Sequence, residues 1–266
     1  MIRLQLDGRE IEFDESSPID ISIPMNFNGQ QPNAYGVKAA FSEPVRSGDL
    51  VGDTRLGGSC NFEQYTFIPH CNGTHTECVG HITNERIAVV DCLQDVFIEA
   101  LLVSVESEST KGSNDLVITR KSVDSAIKSA PGALPLLDTI DTLIVRSLPN
   151  DENKLTRQYD ETLPPYFKAE AIEFIVEIGI RHLLVDLPSI DRMYDNGQLS
   201  NHRIFWSIDQ GAFETNEKTR IKNTITEMIY VPNTVKDGRY LLNLQVAPFM
   251  SDASPSRPIL FRIKLD

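Results

Sequence analysis

The sequence predicts an α/β fold, and three stretches of the chain support that prediction. Apolar residues recur at helical spacing over about 166–178, and Gly179 stands where such a helix would end. Short apolar runs on either side, at 142–146 and 182–185, indicate buried strands. Because a strand–helix–strand order needs a crossover connection, we expect these two strands to lie in a parallel arrangement.

The other elements are predicted from alternation and from turn signals. Residues 2–13 alternate apolar and polar about Asp7-Gly8, which is typical of a β-hairpin. The apolar run of 96–105 predicts another buried strand. The stretch 26–60 is rich in Gly, Asn, Pro and Ser and predicts a long loop with a functional or linking role. Further strands are expected at 19–23, 62–68, 116–118 and 239–249.

The composition is that of a globular protein, and it excludes several classes of function. With 266 residues, of which 41% are hydrophobic, the chain can build a substantial core. Its net charge of −13 argues against a nucleic-acid or anionic-membrane partner, because either needs a basic face. No apolar run approaches the ~20 residues of a membrane span. We expect a cytoplasmic protein whose 4 cysteines are reduced rather than paired in a disulfide framework.

Metal-binding and acid–base side chains are concentrated between residues 69 and 82. This stretch contains His70, Cys71, His75, Glu77, Cys78 and His81. Imidazole, carboxylate and thiolate bind divalent metals of borderline softness, and imidazole and carboxylate also carry most acid–base catalysis. In an extended chain, His75, Glu77 and His81 share one face. On a helix, residues two apart do not face each other, so His75 and Glu77 could not bind one ion.

These residues resemble the signature of the cyclase family of metal-dependent hydrolases, which includes bacterial kynurenine formamidase and isatin hydrolase. The family pattern is His-x-Gly-Thr-His-x-Asp-x-Pro-x-His, and residues 73–75 and His81 match it in identity and spacing. Glu77 replaces the Asp with another carboxylate, and a valine replaces the Pro. The register of the first His falls on Cys71, while His70 lies one residue further out, so either residue could take that place.

Later blocks of the sequence continue the resemblance in the family's order. Residues 185–191 read Val-Asp-Leu-Pro-Ser-Ile-Asp, similar to the family's Ile-Asp-Thr-Pro-Ser-x-Asp. Asn201-His202 stands where the family has Ala-His, and Glu227 lies in an apolar stretch similar to the strand that carries the family's distal Glu. Residues 252–258 resemble the family's terminal Gly-Ser-Pro-x-Arg turn.

The resemblance covers most of the chain. It spans roughly residues 18–262, and residues 1–14 are then an added N-terminal hairpin. It implies a single domain over 1–266 with a mixed, partly barrel-like sheet and flanking helices, the swivelling β/β/α architecture. Family members are commonly homo-oligomers, so the resemblance also implies a dimer or a larger assembly.

The resemblance implies metal-dependent hydrolysis of a small-molecule amide, either an N-formyl amide or a cyclic amide. The metal ligands that it implies are His75, Glu77, His202 and Glu227, together with His70 or Cys71. Glu214 rivals Glu227 on spacing alone, but Glu227 has the apolar flanks of a strand. His81 is expected to stay free of the metal and to act as the general acid–base. One or two ions are expected, zinc first and manganese second, because N and O donors suit both.

Four aromatic residues are candidates for substrate contact. Family members cover the pocket with the region that corresponds to 26–60, so Tyr35 or Phe41 could touch the substrate. Phe205 and Trp206 follow His202 closely and could stack on an aromatic ring. Packing in the core is the alternative for all four side chains.

Two further interpretations stay open at the level of the sequence. The displaced first His, the Asp-to-Glu change and the lost Pro are compatible with a divergent, non-catalytic relative that binds a metal or a small molecule. The other interpretation is a structural metal site inside an oligomer, and a closed site of that kind has no exchangeable water.

Overall fold

The computed structural model describes residues 1–6, 8–110, 112–133, 140–160 and 163–264. Within them the α-helices are α1 Pro69–Asn72, α2 Val89–Cys92, α3 Arg120–Ser129, α4 Ala169–Glu177 and α5 Ser200–Trp206. Short 3-10 helices cover Thr54–Leu56, Val79–His81 and Glu152–Leu155. None of the described helices combines the length and the apolar character needed to cross a membrane.

The strands are short except at the centre of the chain. In order they are β1 Ile2–Leu6, β2 Arg9–Phe13, β3 Ile19–Asp20, β4 Phe41–Pro44, β5 Arg46–Ser47, β6 Leu50–Val51, β7 Glu63–Thr66, β8 His75–Glu77, β9 Phe97–Glu106, β10 Glu108–Ser109, β11 Leu116–Ile118, β12 Thr142–Leu148, β13 Tyr166–Phe167, β14 His182–Val185, β15 Thr224–Glu227, β16 Gly238–Asn243, β17 Ala253–Pro255 and β18 Ile259–Arg262.

The largest sheet of the described residues has nine strands in the order β17-β8-β15-β14-β12-β9-β16-β18-β3. Its centre is parallel, since β12 pairs with β9 and β14, and β14 with β15. Its flanks are antiparallel, with β8 beside β15 and β16 beside β9. The sheet curls into a half-barrel, which confirms the predicted mixed, partly barrel-like α/β fold.

The central strands are buried on both faces, which explains their continuous apolar runs. Successive residues of β9 point to opposite sides. Leu101 and Val103 belong to a core cluster that also contains α3 and α4 residues such as Ile127 and Ile172. Leu102 belongs to a second cluster on the other face, which joins residues of β12, β14, β16 and β18.

The predicted helix at 166–178 is shorter at its start than the sequence suggested. Tyr166 and Phe167 form β13, which pairs in parallel with β11, and α4 begins at Ala169. Phe167 is buried in the same core cluster as residues of α3 and α4. The apolar periodicity of the helix therefore did not reveal that Phe167 is extended. The helix ends as predicted, with Gly179 in the left-handed conformation at φ 88°.

Most of the other predicted elements are present with changed lengths. β1 and β2 form the N-terminal hairpin, although Asp7 of the predicted turn lies outside the described residues. Phe13 connects the hairpin to the chain around β18. It forms an isolated β-bridge with Ile263, and its ring centroid lies 5.4 Å from that of Phe261. The strands predicted at 19–23, 62–68 and 239–249 are each shorter, as β3, β7 and β16.

The segment 207–223 joins α5 to β15, and its two ends are tied to each other. The indole Nε1 of Trp206 donates to the carbonyl of Asn223 at 2.9 Å. The backbone N–H of Arg220 donates to the carbonyl of Trp206 at 3.0 Å, and its guanidinium donates to the carbonyl of Phe205 at 3.0 Å. These bonds hold the end of α5 close to the start of β15.

A buried ion pair joins the loop after β12 to the end of β14. Lys154 Nζ lies 2.7 Å from Asp186 Oδ2, and both side chains are buried. The ammonium also donates to the carbonyl of Ser147 at 2.8 Å and to Asn150 Oδ1 at 3.2 Å. All three donors of Lys154 therefore have partners, which is what a charge needs in a site without water.

We expect Lys154→Met to lower the free energy of unfolding by about 3–5 kcal/mol, because the change leaves the Asp186 carboxylate buried without its cation. Urea unfolding followed by circular dichroism measures this. The matched control is Lys128→Met on α3, since Lys128 pairs with Asp124 at the surface and should contribute less than about 1 kcal/mol. Equal effects of the two changes would contradict the assigned role of Lys154.

Candidate metal centre

Histidine and carboxylate side chains from three segments of the chain converge beside β8. They are His70 on α1, His75 and Glu77 on β8, His81 at the end of a 3-10 helix, His202 on α5 and Glu227 on β15. β8 pairs with β15 so that His75 stands directly opposite Glu227. Directly opposite residues of paired strands present their side chains on the same face, so this register brings His75, Glu77 and Glu227 together.

The ring of His75 is fixed by a bond to its own chain. Its Nδ1 lies 3.0 Å from the carbonyl of Gly73, and a carbonyl can only accept, so Nδ1 carries the proton. The lone pair of the neutral ring is then on Nε2, which lies 3.6 Å from Glu227 Oε2. An imidazole held in one tautomer by a backbone carbonyl is the usual arrangement of a metal-ligating histidine.

Glu77 is fully buried and divides its two oxygens between two groups of imidazoles. Its Oε1 accepts a hydrogen bond from His202 Nε2 at 2.9 Å. Its Oε2 faces His70 Nε2 at 3.4 Å and His81 Nε2 at 3.8 Å, without a hydrogen bond to either. Glu77 therefore lies between the ring of His202 on one side and the rings of His70 and His81 on the other.

Two further groups hold His202 and Glu227 in place. Asp191 Oδ2 lies 2.6 Å from His202 Nδ1, and Asp191 also accepts from the backbone N–H groups of Asn201 and His202. Glu227 Oε1 accepts from the backbone N–H of Ile190 at 2.9 Å. The residues just after β14 therefore orient both side chains, in the manner of the outer hydrogen bonds around metal ligands.

The charges of the centre shift one another's pKa values. Burial by itself would raise the pKa of Glu77, but the imidazoles of His81 and His202 outweigh it and hold the pKa well below its usual range. Burial would lower the pKa of His202, but Glu77 and Asp191 raise it well above its ordinary value. Glu77 thus favours its ionised form, and His202 favours its protonated, positively charged form.

The donor set fits one or two divalent cations. Two groups of ligand atoms each lie within 4.8 Å of one another: His70, Glu77 and His81 form one, and His75, Glu77 and Glu227 the other. His70 Nε2, His75 Nε2 and Glu77 Oε2 are buried without a hydrogen-bond partner among the described residues. Buried polar atoms are normally satisfied, and a cation held by each group of ligand atoms would give these three atoms a partner.

His81 reaches the centre by a route that the sequence reasoning did not foresee. The predicted extended run from Gly73 to His81 is wrong beyond Glu77, because the chain turns into the 3-10 helix Val79–His81. This turn stacks the ring of His81 on that of His70, with ring centroids 4.5 Å apart. His81 keeps 26% of its side-chain surface exposed, whereas His75 and Glu77 are buried.

Asp252 is a further carboxylate of the centre, to which the sequence reasoning gave no role. Its Oδ2 lies 3.4 Å from His81 Nδ1 and 3.0 Å from His70 Nε2. The imidazoles of His70 and His81 hold the pKa of Asp252 far below its usual range. Its sequence signal was its place as the first residue of the terminal turn motif 252–258, and β17, which begins at the next residue, brings it beside β8.

The structure separates the rival candidates for the outer ligand positions. His70 lies in the cluster, whereas Cys71 lines the adjoining cavity and belongs to neither group of ligand atoms. Burial, with a smaller contribution from Glu227, raises the pKa of the Cys71 thiol to about 11. Glu214 is exposed, and its carboxylate accepts from Asn84 at 3.3 Å, away from the centre.

A cavity of about 540 Å³ opens onto the centre. It is lined by Tyr35, His70, Cys71, Glu77, His81, Pro188, Ser189, Met193, Tyr194, Asp195, Asn196, Gly197, Leu199, His202 and Glu227. Its size is that of a small-molecule site. Tyr35, which the sequence offered as a substrate contact, lines this cavity. Phe41 is on β4, where Lys38 lies 4.1 Å above its ring, and it does not line the cavity.

Phe205 and Trp206 do not serve as substrate contacts, which corrects the prediction made for them. Both side chains have 0% exposure and belong to the core cluster of α3 and α4. The helix α5 turns His202 toward Glu77 and places these two rings in the core behind it. Trp206 still supports the centre, because its ring packs 5.4 Å from that of His202.

The chain is similar to known proteins in sequence. The family model Cyclase matches residues 19–192, which is well over half of the chain. A kynurenine formamidase of Bacillus cereus is 25% identical over 249 residues, which cover 91% of this chain and 96% of that protein. A kynurenine formamidase of Bacillus cytotoxicus is 24% identical over 249 residues and the same shares of 91% and 96%.

Solved structures share the fold. A predicted metal-dependent hydrolase from Bacillus stearothermophilus aligns with a TM-score of 0.60 and 16% identity, over 92% of this chain and 98% of that one. Isatin hydrolase A from Labrenzia aggregata aligns with a TM-score of 0.61 and 13% identity, over 92% and 93%. At these identities the likeness concerns the arrangement of the elements.

We expect Glu77→Gln to lower the pKa of His202 in protein freed of metal, because the change removes the negative charge that lies 2.9 Å from Nε2. A pH titration of the histidine ring protons by NMR measures this. Glu214→Gln removes an exposed carboxylate outside the centre and is the matched control, which should leave His202 unchanged. An unchanged titration of His202 in Glu77→Gln would contradict the electrostatic account of the centre.

Proposed function

The chain belongs to the cyclase family, and we propose that it is a metal-dependent hydrolase that cleaves an amide bond, either an N-formyl amide or a cyclic amide. The observation that carries this proposal is the pair of ligand-atom groups that share Glu77, next to a cavity lined by His70, Glu77, His81 and Glu227. Relatives named kynurenine formamidase, similar over nearly the whole chain, support the class of reaction.

Glu77 would be the ligand common to both groups of ligand atoms. His75 and Glu227 would hold a cation together with Glu77, and His202, which lies 2.9 Å from Glu77, would be a further ligand. His70, rather than Cys71, would be the ligand supplied by α1. Zinc is the first choice and manganese the second, since the donors are imidazole nitrogens and carboxylate oxygens. When bound, such a cation supplies Lewis acidity, which lowers the pKa of a coordinated water and polarises the amide carbonyl.

His81 would move the proton. Its ring lines the cavity, its Nδ1 lies 3.4 Å from Asp252 Oδ2, and its Nε2 lies 3.8 Å from Glu77 Oε2, beside the proposed metal ligands. In the hydrolysis the oxygen of water bonds to the amide carbon while the C–N bond breaks. His81 would take the proton from water and deliver it to the leaving nitrogen, a transfer for which imidazole has a suitable pKa. Asp252 would orient the ring for both steps.

The cavity weighs against the purely structural interpretation of the centre. A structural metal site is closed by its protein ligands. Here His70, His81, Glu77, His202 and Glu227 all line a cavity that a small molecule can enter. The geometry therefore favours a centre that exchanges water and substrate.

We expect dialysis against a chelator to abolish hydrolysis of aryl formamides and of cyclic amides, and zinc or manganese to restore it. Elemental analysis of the active protein should give one or two equivalents of metal. In the same assay His70→Ala should weaken metal binding by at least about tenfold, while Cys71→Ser should not. Full activity in protein shown to be free of metal would contradict the proposal.

We expect His81→Ala to retain metal but to lose about 10²–10⁴-fold in kcat, because proton transfer is lost while the buried ligands stay in place. His75→Ala should lose both metal and activity. Elemental analysis and steady-state kinetics on the two variants, with circular dichroism to verify folding, distinguish the two roles. Retained turnover in His81→Ala would refute its part in proton transfer.

A further inference from the structure

We infer that the substrate is a neutral or cationic aryl amide, that is, an amide without a carboxylate substituent. This inference rests on the proposed function and narrows it. It concerns the walls and the mouth of the cavity rather than its floor. The relatives named kynurenine formamidase act, by their name, on an amide of an amino acid, so the inference separates this chain from them in substrate preference.

The mouth of the cavity presents aromatic rings and one carboxylate. Tyr35 and Tyr194 lie edge to face, with ring centroids 6.1 Å apart, and their side chains are 40% and 53% exposed. Met193 and Leu199 add apolar surface next to them. Exposed aromatic rings beside apolar side chains, above a polar floor, form a surface suited to an aryl group.

Asp195 holds a negative charge at this mouth. Its Oδ1 accepts from the backbone N–H of Gly197 at 2.8 Å, and its Oδ2 accepts from that of Leu199 at 2.6 Å. These bonds fix the carboxylate in the loop that walls the cavity. Among the described residues no lysine, arginine or histidine forms an ion pair with it, so its charge is compensated only by amide dipoles.

The lining of the cavity offers no cation that could receive a substrate carboxylate. None of the described residues that line it is a lysine or an arginine. Arg192 is the nearest in sequence, directly before Met193, but its guanidinium is bound to Asp115 at 3.0 Å and to the carbonyl of Tyr194 at 2.9 Å. Lys154 is buried in its pair with Asp186 and does not line the cavity.

The imidazoles of the cavity are also unavailable to a substrate carboxylate. His202 lies between Glu77 and Asp191, at 2.9 Å and 2.6 Å. His70 and His81 both face Asp252 and Glu77. Each of the three rings therefore already has carboxylate neighbours, and cations at the floor would be compensated by the same carboxylates.

The charge pattern of the cavity acts against anionic substituents. A carboxylate held near Asp195 would lose water and meet a like charge, without a cation to compensate either. An ammonium group there would gain from Asp195 and from the faces of Tyr35 and Tyr194. Discrimination should therefore depend on the substituent at the mouth, and it should appear mainly in KM.

The decisive comparison uses N-formylkynurenine and the corresponding amine that lacks its carboxylate. The two compounds share the aryl formamide, the ketone and the ammonium group, so they differ in one charge. With the metal-loaded protein we expect the amine to have a kcat/KM at least about tenfold higher, with most of the difference in KM. Equal values, or a preference for N-formylkynurenine, would overturn the inference.

Asp195→Asn tests the residue that we hold responsible. The change removes the charge and keeps an oxygen that can accept from Gly197. We expect the preference for the amine to shrink by about fivefold or more. Glu43→Gln on β4 changes the net charge by the same amount outside the cavity and should leave the preference unchanged. If Asp195→Asn leaves the preference for the amine unchanged, another residue causes that preference, and the role given to Asp195 is overturned.

Binding of anilines separates this inference from the proposed function. Calorimetry with the metal-loaded protein should rank 4-(aminomethyl)aniline and 4-(methylsulfonyl)aniline above 4-aminobenzenesulfonate, whose anionic group binds metals weakly. This ranking can be measured whether or not any amide is hydrolysed. Hydrolysis of neither amide together with the expected ranking would refute the proposed function alone. Tightest binding of the sulfonate would refute the inference alone.

Discussion

The structure depends on one buried carboxylate that is shared between two sets of imidazoles. Glu77 has no exposed surface, and its oxygens face His202 on one side and His70 and His81 on the other. A carboxylate without water needs positive charge nearby, and these rings can provide it. Three distant parts of the chain must therefore fold correctly before Glu77 can be buried in its ionised form. The centre and the fold are in this sense one thermodynamic unit.

The half-barrel sheet makes this arrangement possible. Its parallel centre sets β14 and β15 side by side, and the ends of these strands supply Glu227 and the segment that holds Asp191. The short strand β8 then inserts antiparallel beside β15 and adds His75 and Glu77 to the same face. Polar side chains assembled at strand ends, on a core that is apolar on both faces, combine a rigid support with an accessible site. The cavity follows from this edge of the sheet.

The sequence predicted those features that local patterns encode, and it failed where tertiary contacts decide. The helix α4 and the central strands were foreseeable from periodicity, and the clustering of His75 and Glu77 with His202 and Glu227 was implied by the resemblance to the cyclase family. Asp252 was not, because its position depends on the pairing of β17 with β8, which joins residues far apart in sequence. The 3-10 turn before His81 lacks a local signal of its own. Burial of Phe205 and Trp206 was undecidable because adjacency to His202 does not reveal which side of a helix faces the core.

The tied ends of the segment 207–223 have a consequence for how this scaffold can change. Because Trp206, Arg220 and Asn223 clamp the base of the segment, His202 and Glu227 are positioned independently of the length of chain between the clamped points. The entropy of closing a loop grows only slowly with its length, so added residues there cost little stability. Additional residues can therefore be inserted into this segment, in evolution or by design, while the positions of His202 and Glu227 stay fixed.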